Sequence, residues 1–410
     1  METAHCSPFQ KEEIEHELKI LPQRCMMDAH PEINMPRFLS GEFGMRFAEY
    51  KLLEERFTLD PMNPELLAYY QTLHLKKEMF ETDDYYTRWT LITPSEMDHS
   101  RKYPLVIFAH GAFGPLEGAE FAGYAMFQAE EGFMALYPQN TNPDWILHMI
   151  EEIALRYPLD RERIYMGGYS AGGAKTVEAS LKIRDTLAAV GPCACGITHW
   201  SEDILSVPDP DAYDRIPPMI RVDSEFDPSR FIPFNQWVPR ITMLDYFSIP
   251  RPAMPPRPEG ADINRDPTFD MVPDGHGGMV SSKVRPGPKI PPPDGISYDE
   301  WKVAQLNYRL KAMGCTELDI SRCLAYAGHP ENGSYSIFGV YGDLEYAKIL
   351  MGVKHYFLDY FSRDHRLSVR LVGIENALHN PTPMLPELTW NFYKRFRRDS
   401  VTGKIIETSV

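Results

Sequence analysis

From residue 75 onward, short runs in which every residue is apolar alternate with longer stretches whose apolar positions recur every three or four residues. Pro104-Leu105-Val106-Ile107-Phe108-Ala109, Phe133-Met134-Ala135-Leu136-Tyr137, Arg163–Gly168 and Leu187–Cys195 are of the first kind, the pattern of strands covered on both faces. Trp145–Tyr157 and Ala171–Asp185 are of the second kind and predict helices. Lys76–Phe80 and Tyr86–Thr93 alternate like antiparallel strands opening a sheet. Strands alternating with helices predict an α/β fold, a mostly parallel sheet with helices on both faces.

The flanks read differently. Ser7-Pro8-Phe9-Gln10 offers an N-cap, a proline at the first helical position and a glutamine at N3. A helix over Lys11–Leu21 follows, with two more over Phe38–Phe57 and Pro64–Leu73. This predicts a helical extension over 1–74, ahead of a core whose first part is 75–228. Past Pro228 the pattern breaks: Ile249–Pro293 holds a third of the chain's 36 prolines, which excludes a helix or central strand there. Residues 229–330 are therefore expected to form a lid-like insertion, closing with a Tyr298–Met313 helix. The final part of the core, 331–410, is expected to give a strand (Tyr335–Tyr341), a helix (Ala347–Phe361), a strand (Leu367–Ile374) and a last helix (Pro386–Arg398).

Composition narrows the class. The 410 residues are 43% hydrophobic and 24% charged, ordinary for a globular protein with a sizeable core. A net charge of −16 argues against nucleic acid or an anionic membrane surface as partner, because both select basic patches. The six cysteines lack a C-x-x-C spacing, so no zinc site is expected. Reduced thiols are expected, with a Cys315–Cys323 disulfide as the alternative for an exported chain. The first residues show neither a basic n-region nor an apolar h-region, and no run of about 18 apolar residues exists; a cytoplasmic location is the expectation.

The chemistry centres on Gly168-Tyr169-Ser170-Ala171-Gly172. Gly-x-Ser-x-Gly is weak in isolation, but here a buried-strand run leads in and a helix leads out, the setting a nucleophile elbow needs. A serine on so sharp a turn brings the residues on either side of it together, and small side chains at 168 and 172 allow that approach. Ser170 is the expected nucleophile. About sixty residues earlier, His110-Gly111-Ala112-Phe113-Gly114 follows a strand.

With Tyr137-Pro138-Gln139 and the run Leu159-Asp160-Arg161-Glu162-Arg163-Ile164-Tyr165, these motifs make Tyr103–Lys182 resemble the α/β-hydrolase superfamily. The likeness is greatest to its feruloyl-esterase and polyhydroxybutyrate-depolymerase-like esterases. The resemblance implies the α/β-hydrolase fold and a serine hydrolase acting on carboxylic esters without cofactor or metal. Hydroxycinnamoyl or other acyl esters of carbohydrates are the implied substrates. It implies an oxyanion hole from the backbone N–H groups of Ala112 and Ala171, with His110 fixing the loop rather than acting as base. Pro218–Pro228 resembles the family's acid segment and puts Asp227 in the acid role. Asp223-Ser224 stands where His-Gly is usual, so Asp223 or Glu225 could substitute, and Asp343 after a later strand is a rival. His379, between the last strand and the last helix, takes the general-base role, with His276 as the other candidate. Aromatic residues of the insertion such as Phe231, Trp237 and Trp301 are candidates to line a substrate pocket or to pack it onto the core. A serine peptidase, a polyester depolymerase-like enzyme and a non-catalytic binder on the same fold are the competing readings. Self-assembly is left open.

Overall fold

The computed structural model describes residues 61–80, 85–111, 116–120, 124–195, 210–224, 271–273, 279–281, 298–326, 340–350, 353–374 and 384–408. The expected helices over 11–21 and 38–57 lie outside them, and so do Ala112, Asp227, His276 and His379.

Ten strands form one sheet: β1 (Leu75–Phe80), β2 (Trp89–Pro94), β3 (Tyr103–Ala109), β4 (Met134–Pro138), β5 (Leu159–Tyr169), β6 (Ala189–Cys193), β7 (Met219–Ser224), then β10 (Leu344–Leu350), β11 (Val353–Phe361) and β12 (Leu367–Ile374). Their spatial order is β1-β2-β4-β3-β5-β6-β7-β12-β11-β10. The six central strands from β4 to β12 run parallel, and the pairings at the two edges, β1 with β2 and β2 with β4, β12 with β11 and β11 with β10, are antiparallel. Between β7 and β10 the described residues include a short antiparallel pair, β8 (Met271–Pro273) with β9 (Met279–Ser281), and the helices Tyr298–Ala312 and Ile320–Tyr326.

Alternation along each strand sorts the core into two layers. Leu105, Ile107, Met134, Leu136, Ile164 and Met166 point to one face. There they meet α4 (Pro143–Arg156), α5 (Ala171–Lys182) and α6 (Tyr298–Ala312). Val106, Phe108, Ala135, Tyr137 and Tyr165 point to the other. They meet α1 (Pro64–Thr72), α2 (Leu116–Glu120), α3 (Ala125–Glu131) and α8 (Leu385–Tyr393), where α7 is Ile320–Tyr326. Every residue of β3 is buried, as its all-apolar sequence requires. Each such Leu or Ile taken from water contributes about 1.5–3 kcal/mol.

Helix α4 shows how the local sequence sets an element. Asn142 caps it by accepting from the Asp144 N–H at 3.0 Å, Pro143 starts it, and Ile146, Met149, Ile150 and Ile153 make the one buried stripe.

At the end of the sheet where the parallel strands begin, two buried arginines grip main chain. Arg398 donates to the carbonyls of Arg184, Leu187, Arg215 and Gly403, and Arg366 to those of Tyr213, Asp214 and Ile405.

Three expectations at the C-terminal side need correction. Ala347–Phe361 is not a helix; it is most of the β10–β11 hairpin. Tyr356, Leu358 and Tyr360 face one layer and Phe357 the other, a period of two that aromatic residues favour. The last helix stops at Tyr393; Phe396–Arg398 turns into β13, paired with β14 (Ile405–Glu407). Of the strand expected over 335–341, residues 335–339 lie outside the described set, and Val340 and Tyr341 are irregular. A parallel sheet between two helical layers, with a sharp strand–turn–helix after β5, is the α/β-hydrolase fold that the sequence resemblance implied.

Candidate active site

Ser170 stands between β5 and α5 with φ 54° and ψ −113°, a conformation that is costly for a residue with a side chain. Its N–H donates to the Cys193 carbonyl at 2.9 Å and its carbonyl accepts from the Ala174 N–H at 3.0 Å, so neighbouring strand and helix hold it there. The glycines explain how the chain turns so tightly. A methyl group on Gly172 would lie 2.5 Å from the His110 carbonyl oxygen, and one on Gly168 would lie 2.5 Å from the carbonyl carbon of Gly172. Ser170 itself is half-buried, at the end of the sheet where the parallel strands finish.

The His110-Gly111 segment passes directly beside it. A methyl group on Gly111 would sit 3.7 Å from the Ser170 Cβ and 3.1 Å from the Tyr169 ring. His110 is buried, with Nε2 2.8 Å from the Gln139 carbonyl oxygen and Nδ1 2.8 Å from that of Gly111. Both ring nitrogens therefore face main-chain carbonyl oxygens, and the neutral ring donates to one of them. Ala171 is the first residue of α5, where a backbone N–H has no acceptor within its own helix.

The rival acids separate cleanly. Asp343 hydrogen-bonds within the β10–β11 hairpin: its N–H donates to the Asp359 carbonyl, and its Oδ2 accepts from the Phe361 N–H at 2.8 Å. Phe361 pairs with Leu367, where β12 begins, so Asp343 lies at the opposite end of the sheet from Ser170. Over the length of β12 that is about 20 Å. Asp223 is at the correct end, on β7, but its carboxylate is committed: Arg221 Nε donates to Oδ2 at 2.9 Å and a terminal guanidinium nitrogen to Oδ1 at 2.7 Å, with both side chains fully buried. Burial opposes the Arg221 charge, and the Asp223 carboxylate together with the neighbouring Cys195 and Cys193 outweighs it, so the guanidinium is held above its ordinary value. Arg221 also donates to the Cys195 carbonyl and, at 3.1 Å, to its Sγ, tying β7 to the chain behind the elbow.

That pair was missed at the level of sequence, although an arginine within an apolar strand was the available signal. Among the described residues no group of histidine, cysteine and carboxylate side chains could hold a metal. Cys315 and Cys323 are free and buried rather than disulfide-bonded. No described helix is long and apolar enough to cross a membrane.

No protein-family model matches the chain. One curated relative is a bifunctional acetylxylan esterase/xylanase from Neocallimastix patriciarum, 29% identical over 76 residues. That alignment takes in 16% of this chain and 11% of the relative, so the chain spans about a tenth of its length. Among solved structures, the acetyl xylan esterase from Aspergillus awamori is similar over 78% of this chain and 99% of that one, at 11% identity and a TM-score of 0.41. The feruloyl esterase module from Clostridium thermocellum is similar over 37% and 67%, at 14% identity and a TM-score of 0.30. A thermostable esterase is similar over 43% and 50%, at 18% and 0.29.

Proposed function

We propose that this chain is a serine esterase that works through an acyl-enzyme on Ser170. The observation that carries the reading is the strained Ser170 at the β5–α5 elbow with Gly111 packed against it.

In this reading His379 takes the Ser170 hydroxyl proton as Oγ attacks the ester carbonyl carbon, and Asp227 orients the imidazole and stabilises its charged form. The N–H groups of Ala112 and Ala171 receive the oxyanion, each contributing roughly 3–4 kcal/mol in the transition state. Protonated His379 hands its proton to the leaving alcohol, and water then releases the acid by the same steps.

Chain length supports the assignment. The last residues of β7 and β12, Ser224 and Ile374, pair with each other at the same end as Ser170. They stand two and three strands away from β5 in the sheet, about 10 and 14 Å. Asp227 follows Ser224 by three residues and His379 follows Ile374 by five, reaches of about 10 and 17 Å. Asp343 has no such reach, which favours Asp227 over it as the acid of this proposal; Glu225, the alternative on the same segment, lies with Asp227 outside the described residues. The stretch shared with the Neocallimastix protein, whose name includes acetylxylan esterase, supports an acylated carbohydrate as substrate.

The test is hydrolysis of acetyl, butyryl and feruloyl esters, with a peptide anilide beside them, by wild type and Ser170→Ala. Ester turnover is expected to drop by about 10⁴-fold or more in the variant. In wild type, kcat/KM should rise with pH through about 6 to 7 as the histidine base loses its proton. Cleavage of the anilide with every ester untouched would replace the esterase reading with a peptidase.

A further inference from the structure

The strained conformation of Ser170 leans on a second one behind it. The Cys193 carbonyl that accepts the Ser170 N–H is followed by Ala194 at φ 52°, a left-handed residue with a side chain. Cys193, Ala194 and Cys195 thus leave the end of β6 in a turn. That turn lies directly against the first turn of α5: a methyl group on Gly173 would come 2.5 Å from the Cys193 carbonyl oxygen and 2.8 Å from Cys195 Sγ. No side chain fits between them, so a shift of one is felt by the other. Strand β7 holds the turn in place. The Ala194 N–H donates to the Val222 carbonyl at 3.0 Å. Arg221, one residue earlier, donates to the Cys195 carbonyl and, at 3.1 Å, to its Sγ. The guanidinium is aligned in turn by the two Asp223 oxygens, at 2.9 and 2.7 Å. Arg221 and Asp223 are wholly buried, and Cys193 and Cys195 nearly so.

Stability alone does not call for a buried ion pair here, because apolar groups of the same volume are often as stabilising. What the fork of an arginine adds is direction, since it spans several acceptors at fixed angles. Its acceptors are a carboxylate on its own strand and the turn whose Cys193 carbonyl holds the Ser170 N–H.

We propose that Arg221, aligned by Asp223, is a positioning residue that sets, through the 193–195 turn, where Ser170 stands at the elbow. It touches no reacting atom. A shift of the turn moves the Cys193 carbonyl, and with it the backbone and Oγ of Ser170. The inference rests on the serine-esterase reading and deepens it: the reactivity of Ser170 depends on a charge pair two strands away. It also gives Asp223 a task other than that of the acid.

The test compares wild type with three variants. Arg221→Lys keeps a charge facing Asp223 but cannot span Asp223 and Cys195 together. Arg221→Met combined with Asp223→Leu removes both charges at once, so no carboxylate is stranded in the core. Cys195→Ala keeps the pair and removes only the sulfur it holds. Each is assayed at about 20 °C on one small acetyl ester, with the rate at which a phosphonate labels Ser170 as the second readout. The first two are expected to lose about 10- to 100-fold in kcat with KM within about threefold, and to be labelled correspondingly more slowly. Cys195→Ala is expected to lose about 3- to 10-fold in both readouts. In all three the rise of kcat/KM with pH stays where it is in wild type, because a displaced nucleophile leaves the titration of the base alone. A rise that moves in the double variant and not in Arg221→Lys would make Asp223 the acid, and overturns the proposal. So does a role confined to stability, which would lower the melting temperature and leave kcat and labelling rate unchanged. If the two Arg221 variants do not fold, Cys195→Ala decides by the same criteria. A wild type that hydrolyses no ester and takes no phosphonate at Ser170 removes the esterase reading, and this inference with it; an active wild type with unaffected variants removes this inference only.

Discussion

Gly191 on β6 lacks a side chain because Tyr393 fills the space one would need: a methyl group there would fall on the Tyr393 hydroxyl and come 3.1 Å from Thr389 Cγ2. Tyr393 stacks on Tyr165 with ring centroids 5.2 Å apart, fastening α8 to the strand that leads to Ser170. Gly191→Ala is expected to cost about 1–3 kcal/mol in urea unfolding, and an unchanged midpoint would mean Tyr393 is not seated there. Arg309 predicts the opposite sign. It is buried on α6, burial pushes its guanidinium down to about 10, and its Nε has no partner. One guanidinium nitrogen donates to Ser180 Oγ at 3.2 Å. Arg309→Met should raise stability by about 1–3 kcal/mol; a loss instead would show that the folded protein uses this charge. Legibility from sequence follows the range of the interactions. Ser170 and its flanking glycines are readable because an elbow is made by five consecutive residues. The Arg88–Glu117 pair joins the residue before β2 to a helix that follows β3, a tertiary neighbour that composition and periodicity do not encode, whereas Arg221 and Asp223 share one face of β7 two residues apart.

At the scale of elements, the β10–β11 hairpin gives the sharpest contrast. α4 announces itself through a cap, a proline and one apolar stripe, whereas residues 347–361 carry apolar positions compatible with either period. Long-range pairing decides between them. Arg370 on β12 lies opposite Asp359 on β11 and binds it through two hydrogen bonds of 2.6 Å. Asp359 is 2% exposed, so the pair works largely out of water. Arg370→Met is expected to cost about 3–5 kcal/mol by stranding that carboxylate. Adding Asp359→Leu should restore most of the loss, and a double-mutant cycle on thermal or urea unfolding measures the difference. A double variant no more stable than the single one would contradict the hairpin register.

Over the whole molecule, the sheet separates two ends with different tasks. Ser170 and the strand termini that lead toward Asp227 and His379 lie at one. The 1–74 extension and the 229–330 insertion were expected from sequence as units, yet most of both lies outside the described residues. Surface carboxylates add a pH dependence. Hydrogen bonds from Ser100, Ser321 and Thr402 hold Asp98, Asp319 and Asp399 below the usual carboxylate range. A lowered folded-state value means the unfolded chain binds more protons, so this stabilisation is complete above the ordinary range and is lost as pH falls through the lowered values. The melting temperature should therefore decline below about pH 4, and a curve flat to pH 3 would contradict it. At the other end, Arg366 and Arg398 hold only main-chain oxygens. Every residue type supplies a carbonyl, so the loops they grip are free to drift in sequence across generations without loosening that closure. The two arginines are not: lysine has no fork to span several acceptors. Mutational tolerance at that end should be wide in the loops and narrow at two positions, so that inherited change can accumulate around a fixed frame.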